Sequence, residues 1–299
     1  MTAYIIAIGT IGLIYVLLAL SLNLQWGQTG LINFGLVAFF GIGAYVSGLL
    51  AVGGWPIPLA MLAAVLAAAA AAWPLGRLTL SLKEDYLAVI AVGFSEVVRS
   101  VFENEAWLTR GPSGLPGVPR LYGNAPDGLR DMLLFMTLLL AVIVVFALLE
   151  RLIRSPFGRT LRGIRDNEVA AAALGKNVVS FKTRSLVLGS GIAGLAGAFY
   201  AHYLTFISPE QFTPDVTFNV WIAVIIGGSG RNLGVVLGTF ILILFLEGSR
   251  FLNDLGLALD GSQLGALRFI VVGVALVLCM LYRPAGLLPA GGKGKNRPC

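Results

Sequence analysis

A chain whose apolar runs are long enough to cross a bilayer has few folds open to it. Such runs occur at 3–24, 31–52, 56–75, 86–102, 132–149, 185–206 and 267–281. Inside hydrocarbon every backbone N–H and C=O must find a partner within the protein, which leaves helices or a closed barrel. A barrel would show short strands of alternating polarity. These runs are continuous and mostly close to the roughly 20 residues of a membrane-crossing helix. Only 12% of the residues are charged and 57% are hydrophobic, whereas soluble domains carry about twice that charge. The expected fold class is an all-α polytopic membrane protein of about eight transmembrane segments, some of them broken or re-entrant.

The runs differ in quality. The one at 86–102 is the weakest and holds Glu96 and Arg99, which share a helix face and can pair. The connection at 103–130 is rich in Gly and Pro and reads as helix-free. Two segments, 218–226 and 235–246, are too short to cross alone and flank the string GGSGRNLG at 227–234. Gly227, Gly228 and Gly230 therefore mark a break, which survives at membrane depth only where protein or a polar cavity surrounds it.

Charge sets the expected orientation. No Lys or Arg precedes Arg77, so the basic start of a cleaved signal peptide is missing. Residues 151–184 hold eight basic residues against two acids, Asp166 and Glu168, and the tail adds Arg283, Lys293, Lys295 and Arg297. Both regions belong in the cytoplasm by the positive-inside rule. Counting five crossings back from residue 151 puts the N-terminus outside, with Arg77 and Lys83 inside and the 103–130 connection outside. The same clustering explains the net charge of +6 without nucleic acid.

The basic interruption at 151–184 is far longer than a turn between two spans requires. Ser155 is a good N-cap, Pro156 a good first helical residue and Gly175 a natural stop, so one helix is expected over 155–175. Phe157, Leu161, Ile164, Ala171 and Leu174 form an apolar stripe on it, with Arg159, Arg162 and Arg165 off the stripe. Arg162 with Asp166 and Arg165 with Glu168 have pairing spacing. One reading lays this helix on anionic headgroups. The other docks it in a protein groove, and its small, mixed-charge face favours that.

Nothing marks a site of bond chemistry. The single histidine, His202, has no Cys or carboxylate at ligand spacing. The glycine string at 227–230 lacks the Lys-Ser/Thr of a nucleotide loop. Cys279 lies in an apolar run and Cys299 in the polar tail, and their spacing implies neither a zinc site nor a disulfide. The acids Glu96 and Glu247 lie nearer span ends than midplanes, which argues against an ion-driven carrier. Transport powered by a partner remains, beside a lone channel or a lipid-handling enzyme.

Four blocks then carry a resemblance: LNLQWGQTG at 22–30 with FFGIGAY at 39–45; TRGPSGLPGVP at 109–119; SPFGR at 155–159 with NEVAAAALG at 167–175; and SPE at 208–210 with IGGSGRNLG at 226–234. The ending YRPAGLL at 282–288 is also shared. In this order they resemble the LivM-type permease subunits of high-affinity branched-chain amino-acid ATP-binding-cassette importers, over almost the whole chain. The resemblance implies one permease domain over 1–290 with a cytoplasmic coupling segment at 151–184, and a short basic cytoplasmic tail at 291–299. It implies a multi-pass protein of the bacterial inner membrane, with no enzymatic activity and no cofactor of its own. The implied partners are a homologous LivH-like permease, two LivG/LivF-like ATP-binding subunits, a periplasmic substrate-binding protein and membrane lipids. The implied coupling residues are Phe157, Gly158, Arg159, Leu161, Arg162, Ile164, Arg165, Asn167, Glu168 and Gly175. The implied translocation path holds Asn23, Gln25, Gln28, Asn33, Gly41, Gly43, Gly227, Gly228 and Gly230. For the four amides the alternative is hydrogen bonding between helices. Many relatives have a histidine where this chain has Leu36, which changes either the path or only the core. Relatives serving urea or short amides share much of the pattern, so these substrates stand as the alternative to branched-chain amino acids.

Overall fold

The computed structural model describes residues 2–79, 84–123 and 125–248, and beyond them 273, 274, 277, 281 and 286–288. The expected span at 267–281, apart from four of its residues, lies outside the described residues. So do Lys83, Cys279, Cys299, Arg283 and the basic tail.

The first helix, α1 (Thr2–Leu22), continues as a π-helical turn over Asn23–Gln28, so the first apolar crossing runs Tyr4–Gln28 and outlasts the run read as ending at 24. The second helix, α2 (Leu36–Val52), starts five residues later than read, because Asn33 turns back to accept the Gly35 N–H at 2.9 Å. Leu36, at the first turn of α2, is buried in the core. Next come α3 (Ile57–Thr79), which keeps Pro74 inside it, and α4 (Glu84–Asn104). On α4, Arg99 pairs with Glu96 at 3.2 Å and Glu103 at 3.1 Å, half-exposed.

The Gly and Pro content of the 103–130 connection predicts no helix there. The connection contains α5 (Ala106–Thr109) and a 3₁₀ turn, Gly111–Ser113. The Thr109 hydroxyl donates to the Phe102 and Glu105 carbonyls, which folds the chain tightly there. Strand β1 (Leu115–Pro116) then pairs antiparallel with β2 (Phe206–Ile207), the one sheet among the described residues. His202, near the end of the helix that leads into β2, is buried, donating Nδ1–H to the Pro119 carbonyl at 2.7 Å and bonding Ser47 through Nε2 at 2.9 Å. The connection is thus clamped onto the end of the bundle.

α6 (Asp127–Arg154) is longer than the run at 132–149 and is followed by α7 (Pro156–Asp166), α8 (Glu168–Ala173) and α9 (Val178–Leu204). The glycine string separates α10 (Pro214–Gly227) from α11 (Asn232–Gly248), as its sequence implied.

α9 is the centre of the bundle and packs against α1, α2 and α3. Its small residues set the distances. A methyl group at Gly197 would stand 2.0 Å from the Phe40 carbonyl oxygen, and one at Gly43 2.2 Å from that of Gly194. Membrane helices gain from such approach because lipid offers no hydrophobic drive between them. The outer faces of α3 and α6 expose Leu62, Leu66, Leu140 and Leu148 instead. The result is an all-α bundle in which, among the described residues, four helices (Tyr4–Gln28, Ile57–Leu78, Gly128–Arg154, Val178–Leu204) are long and apolar enough to cross a membrane, with α2 and α11 as shorter apolar helices.

Candidate functional site

Two backbone breaks face each other inside the bundle. One is the π turn and the irregular stretch up to Gly35; the other is the 228–231 link, where Gly228 and Gly230 take φ of 98° and 89°. Only glycine adopts these values without strain. Between the breaks, the Gly230 N–H donates to Asn23 Oδ1 at 2.8 Å and Asn23 Nδ2 donates to Asn232 Oδ1 at 2.9 Å. Asn232 Nδ2 in turn donates to Glu150 Oε2 at 3.2 Å, and Arg154 donates to the other Glu150 oxygen at 3.0 Å. A second bond closes the junction: Gln28 Nε2 donates to the Gly230 carbonyl at 2.6 Å. Gly27 allows the approach, since a Cβ there would stand 2.1 Å from Asn23 Oδ1 and 2.6 Å from the Gly230 nitrogen. The C-terminal carbonyls of α10 are capped from outside the break, Ile226 by the Leu287 N–H at 2.9 Å and Gly227 by that of Leu288 at 3.2 Å.

A second branch ties the first break to α9. Asn33 Nδ2 donates to Gln25 Oε1 at 2.8 Å, Gln25 Nε2 to Ser21 Oγ at 3.3 Å, and Ser21 Oγ to the Gly189 carbonyl at 2.7 Å. Thr29 and Ser185 share a hydroxyl bond of 2.7 Å, and Trp221 Nε1 donates to the Asn33 carbonyl. All four amides are buried and bonded within the chain; among their polar atoms Gln28 Oε1 has no hydrogen-bond partner among the described residues. Asn23, Gln28 and Gly230 are therefore brought together, with Gln25 and Asn33 on the adjoining branch. Gly227 lies beside them, against the Gly234 carbonyl. Gly41 and Gly43 are placed elsewhere, Gly41 against Phe102 and Phe212 and Gly43 against Gly194.

The basic segment differs from the reading in two respects. It is two helices, not one over 155–175. Ser155 caps α7 as expected, but Asn167 leaves helical geometry and its Oδ1 accepts the Ala170 N–H at 2.9 Å, which starts α8. An asparagine with a free N–H three residues on favours a cap over a helix interior. Gly175, at φ 77°, ends α8. Second, the apolar stripe as far as Ala171 faces its own chain. Leu161 and Ile164 are buried, Phe157 stacks on Phe181 at 5.4 Å, and Gly158 fits only because it lacks a Cβ that would meet the Ile153 carbonyl at 2.4 Å. Arg159 and Arg162 lie exposed, as do the apolar Val169 and Leu174 of α8, at 79% and 80%.

Two side chains of this segment reach inward. Arg165 Nη1 donates to the Gly27 carbonyl in the first break. Glu168 pairs with Lys182 Nζ at 2.7 Å, and Lys182 is only 2% exposed. Glu150, Asn232, Ser21, Ser185 and Lys182 had not been singled out from the sequence. Asn232 sits in the glycine string, a usable signal; Glu150 is a lone acid at the end of an apolar run and gave none. Among the described residues, no three of His, Cys, Asp and Glu gather as metal ligands.

Comparison with known proteins adds to this geometry. Residues 4–282 match the family described as branched-chain amino acid transport system / permease component. The high-affinity branched-chain amino acid transport system permease protein LivM of Escherichia coli K12 is 32% identical, over 94% of this chain and 69% of that protein. The probable branched-chain amino acid transport permease protein LivM of Methanocaldococcus jannaschii is 26% identical, over 92% of this chain and 90% of its own. LivH of E. coli K12, the permease protein of the same description, is 25% identical over 93% of this chain and 92% of its own. No solved structure matches the chain significantly.

Proposed function

The chain belongs to the branched-chain amino acid transport system / permease component family, and we propose that it is the membrane permease of an ATP-binding-cassette importer that carries branched-chain amino acids from periplasm to cytoplasm. It is a non-catalytic subunit, and ATP hydrolysis belongs to its partners. A second permease is the natural mate, since the chain is similar to both LivM and LivH proteins. Two cytoplasmic ATPase subunits and a periplasmic binding protein complete the assembly. Residues 1–290 act as one permease domain of about eight segments, and the tail at 291–299 lies in the cytoplasm.

Movement of the coupling segment would reach the breaks along two ties. One is Arg165 to the Gly27 carbonyl. The other is the chain of bonds from Arg154 and Glu150 through Asn232 and Asn23 to Gly230. These ties are the observation that carries the mechanism. ATP-driven closure of the ATPase pair pulls on α7 and α8, and the two breaks shift against each other to change the side on which the path opens. The outward-facing residues Arg159, Arg162, Val169 and Leu174 are the surface that meets the ATPase. Gly175 and Asn167 fix its shape as helix stops, and Glu168 anchors it to α9.

The substrate is tested by uptake. Cells lacking this chain and then supplied with it are expected to lose and regain uptake of labelled leucine, with labelled urea unaffected. Loss of urea uptake alone would reassign the substrate and leave the transporter class standing.

Orientation is a separate expectation. With the N-terminus in the periplasm and the coupling segment in the cytoplasm, a cysteine at Ser113 should react with an impermeant maleimide in intact cells. One at Lys176 should react only after permeabilisation. Both positions are exposed in the structure, so labelling at Lys176 in intact cells would invert the topology.

A further inference from the structure

The outer side of the bundle holds a cleft of about 810 Å³ between α3, α6 and the start of α9. Its polar rim carries Arg77, Arg184, Asn177 and Ser180, and its lining contains no carboxylate among the described residues. Trp73 lies in the same rim, and the Arg77 guanidinium sits over its ring at 5.1 Å. Such a pairing fixes the arginine where a polar group can meet it without removing its charge. Tryptophan with arginine is also the composition of a membrane interface.

The cleft does not end at the rim. Leu152, Val187 and Leu188 line both it and a second groove of about 530 Å³, whose remaining lining, Leu66, Leu148 and Leu195 included, is apolar or glycine. From Arg77 back to Leu66, and from Arg184 on to Leu195, is eleven helical residues in each case, about 16 Å at 1.5 Å per residue. That is about half of the roughly 30 Å hydrocarbon core. The two arginines thus mark one end of a trough that is as deep as a single leaflet and apolar along its length.

We propose that this trough binds one anionic phospholipid, its phosphodiester met by Arg77 and Arg184 and an acyl chain lying along α3, α6 and α9. Charge decides the occupant. Two guanidinium groups without a carboxylate favour a net-negative headgroup over a zwitterionic one, and the trough's depth suits an acyl chain. The inference needs only that the chain spans a membrane, so it stands or falls apart from the transport reading.

The test is native mass spectrometry of the full-length chain, purified with its co-expressed partners and delipidated in detergent. The sample is equilibrated with equal amounts of phosphatidylglycerol and phosphatidylcholine. The unaltered protein should retain phosphatidylglycerol about thirtyfold over phosphatidylcholine, the scale expected of two arginines near a headgroup. Arg77→Gln with Arg184→Gln should abolish the preference, and Arg77→Lys with Arg184→Lys should keep most of it. Circular dichroism and the melting temperature identify any variant that has simply misfolded. Equal retention of both lipids by the unaltered protein would overturn the proposal, as would an undiminished preference in the glutamine variant. A cysteine at Ser180 that crosslinks to a co-purified permease would also overturn it, by placing protein in the cleft.

Discussion

Leu161→Asp is expected to destabilise the fold severely and lower its melting temperature, whereas Leu174→Asp combined with Val169→Asp should leave it folded and sever its coupling. Leu161 and Leu174 lie on the same basic segment, within 14 residues of each other, and in the same apolar stripe of the sequence. Burial separates them, with Leu161 at 1% exposed and Leu174 at 80%. An aspartate at 161 would lose the leucine's transfer energy and place a carboxylate in the core, a cost of about 3–5 kcal/mol or more. Native domains have only about 5–15 kcal/mol in hand. At 169 and 174 the carboxylates would meet solvent in the isolated subunit, where surface changes stay within about 0.5 kcal/mol. In the assembled importer they would enter the ATPase contact, and hydrolysis would continue without uptake. Melting of the purified chain reads the first effect. Leucine uptake set against ATP hydrolysis in vesicles reads the second. A Leu161→Asp chain that melts normally would mean that the stripe does not pack on its own bundle.

The same segment shows what the sequence could and could not tell. Its helical period, its cap at Ser155 and its stop at Gly175 were all legible, because each is a local property of a few residues. Which surface received the stripe was not, because periodicity marks an apolar face without saying what covers it. Phe181, stacked on Phe157 from α9, is the partner that settles the matter, and it lies 24 residues on. Asn167 was read as an interior residue of one helix, although its capping chemistry was visible; a stripe that continued beyond it concealed the break. The glycine break at 227–230 was legible because two flanking runs are too short to cross alone. The π turn at Asn23–Gln28 was not, since residue types do not tell a wide turn from a regular one. The amides within it did announce polar contacts. Their partners are up to 209 residues away, so the sequence left both lining and bonding open.

Asn23 is the residue on which both breaks depend, and Asn23→Leu should be among the most damaging single changes in the site. The leucine keeps the bulk of the side chain and removes both of its polar atoms. The Gly230 N–H then loses its acceptor at 2.8 Å, and Asn232 Oδ1 loses its donor at 2.9 Å. Each buried group left without a partner costs about 1–3 kcal/mol. The sum, about 2–6 kcal/mol, should lower the melting temperature of the purified chain by many degrees. It should also free the Asn232 amide from one of its two partners, leaving Glu150 as the end of a shortened chain. Asn23→Asp separates the two bonds. A carboxylate still accepts from Gly230 but faces Asn232 Oδ1 with no proton to give, so this variant should hold the glycine loop and lose the link to α11. The buried carboxylate, with Glu150 just beyond Asn232, also carries the cost of an unpaired charge, so the variant's melting temperature should fall at least as far as that of Asn23→Leu, with uptake lost in step. If Asn23→Leu melts and transports like the unaltered chain, the breaks are not held by this asparagine, and the relay from Glu150 to Gly230 fails with it.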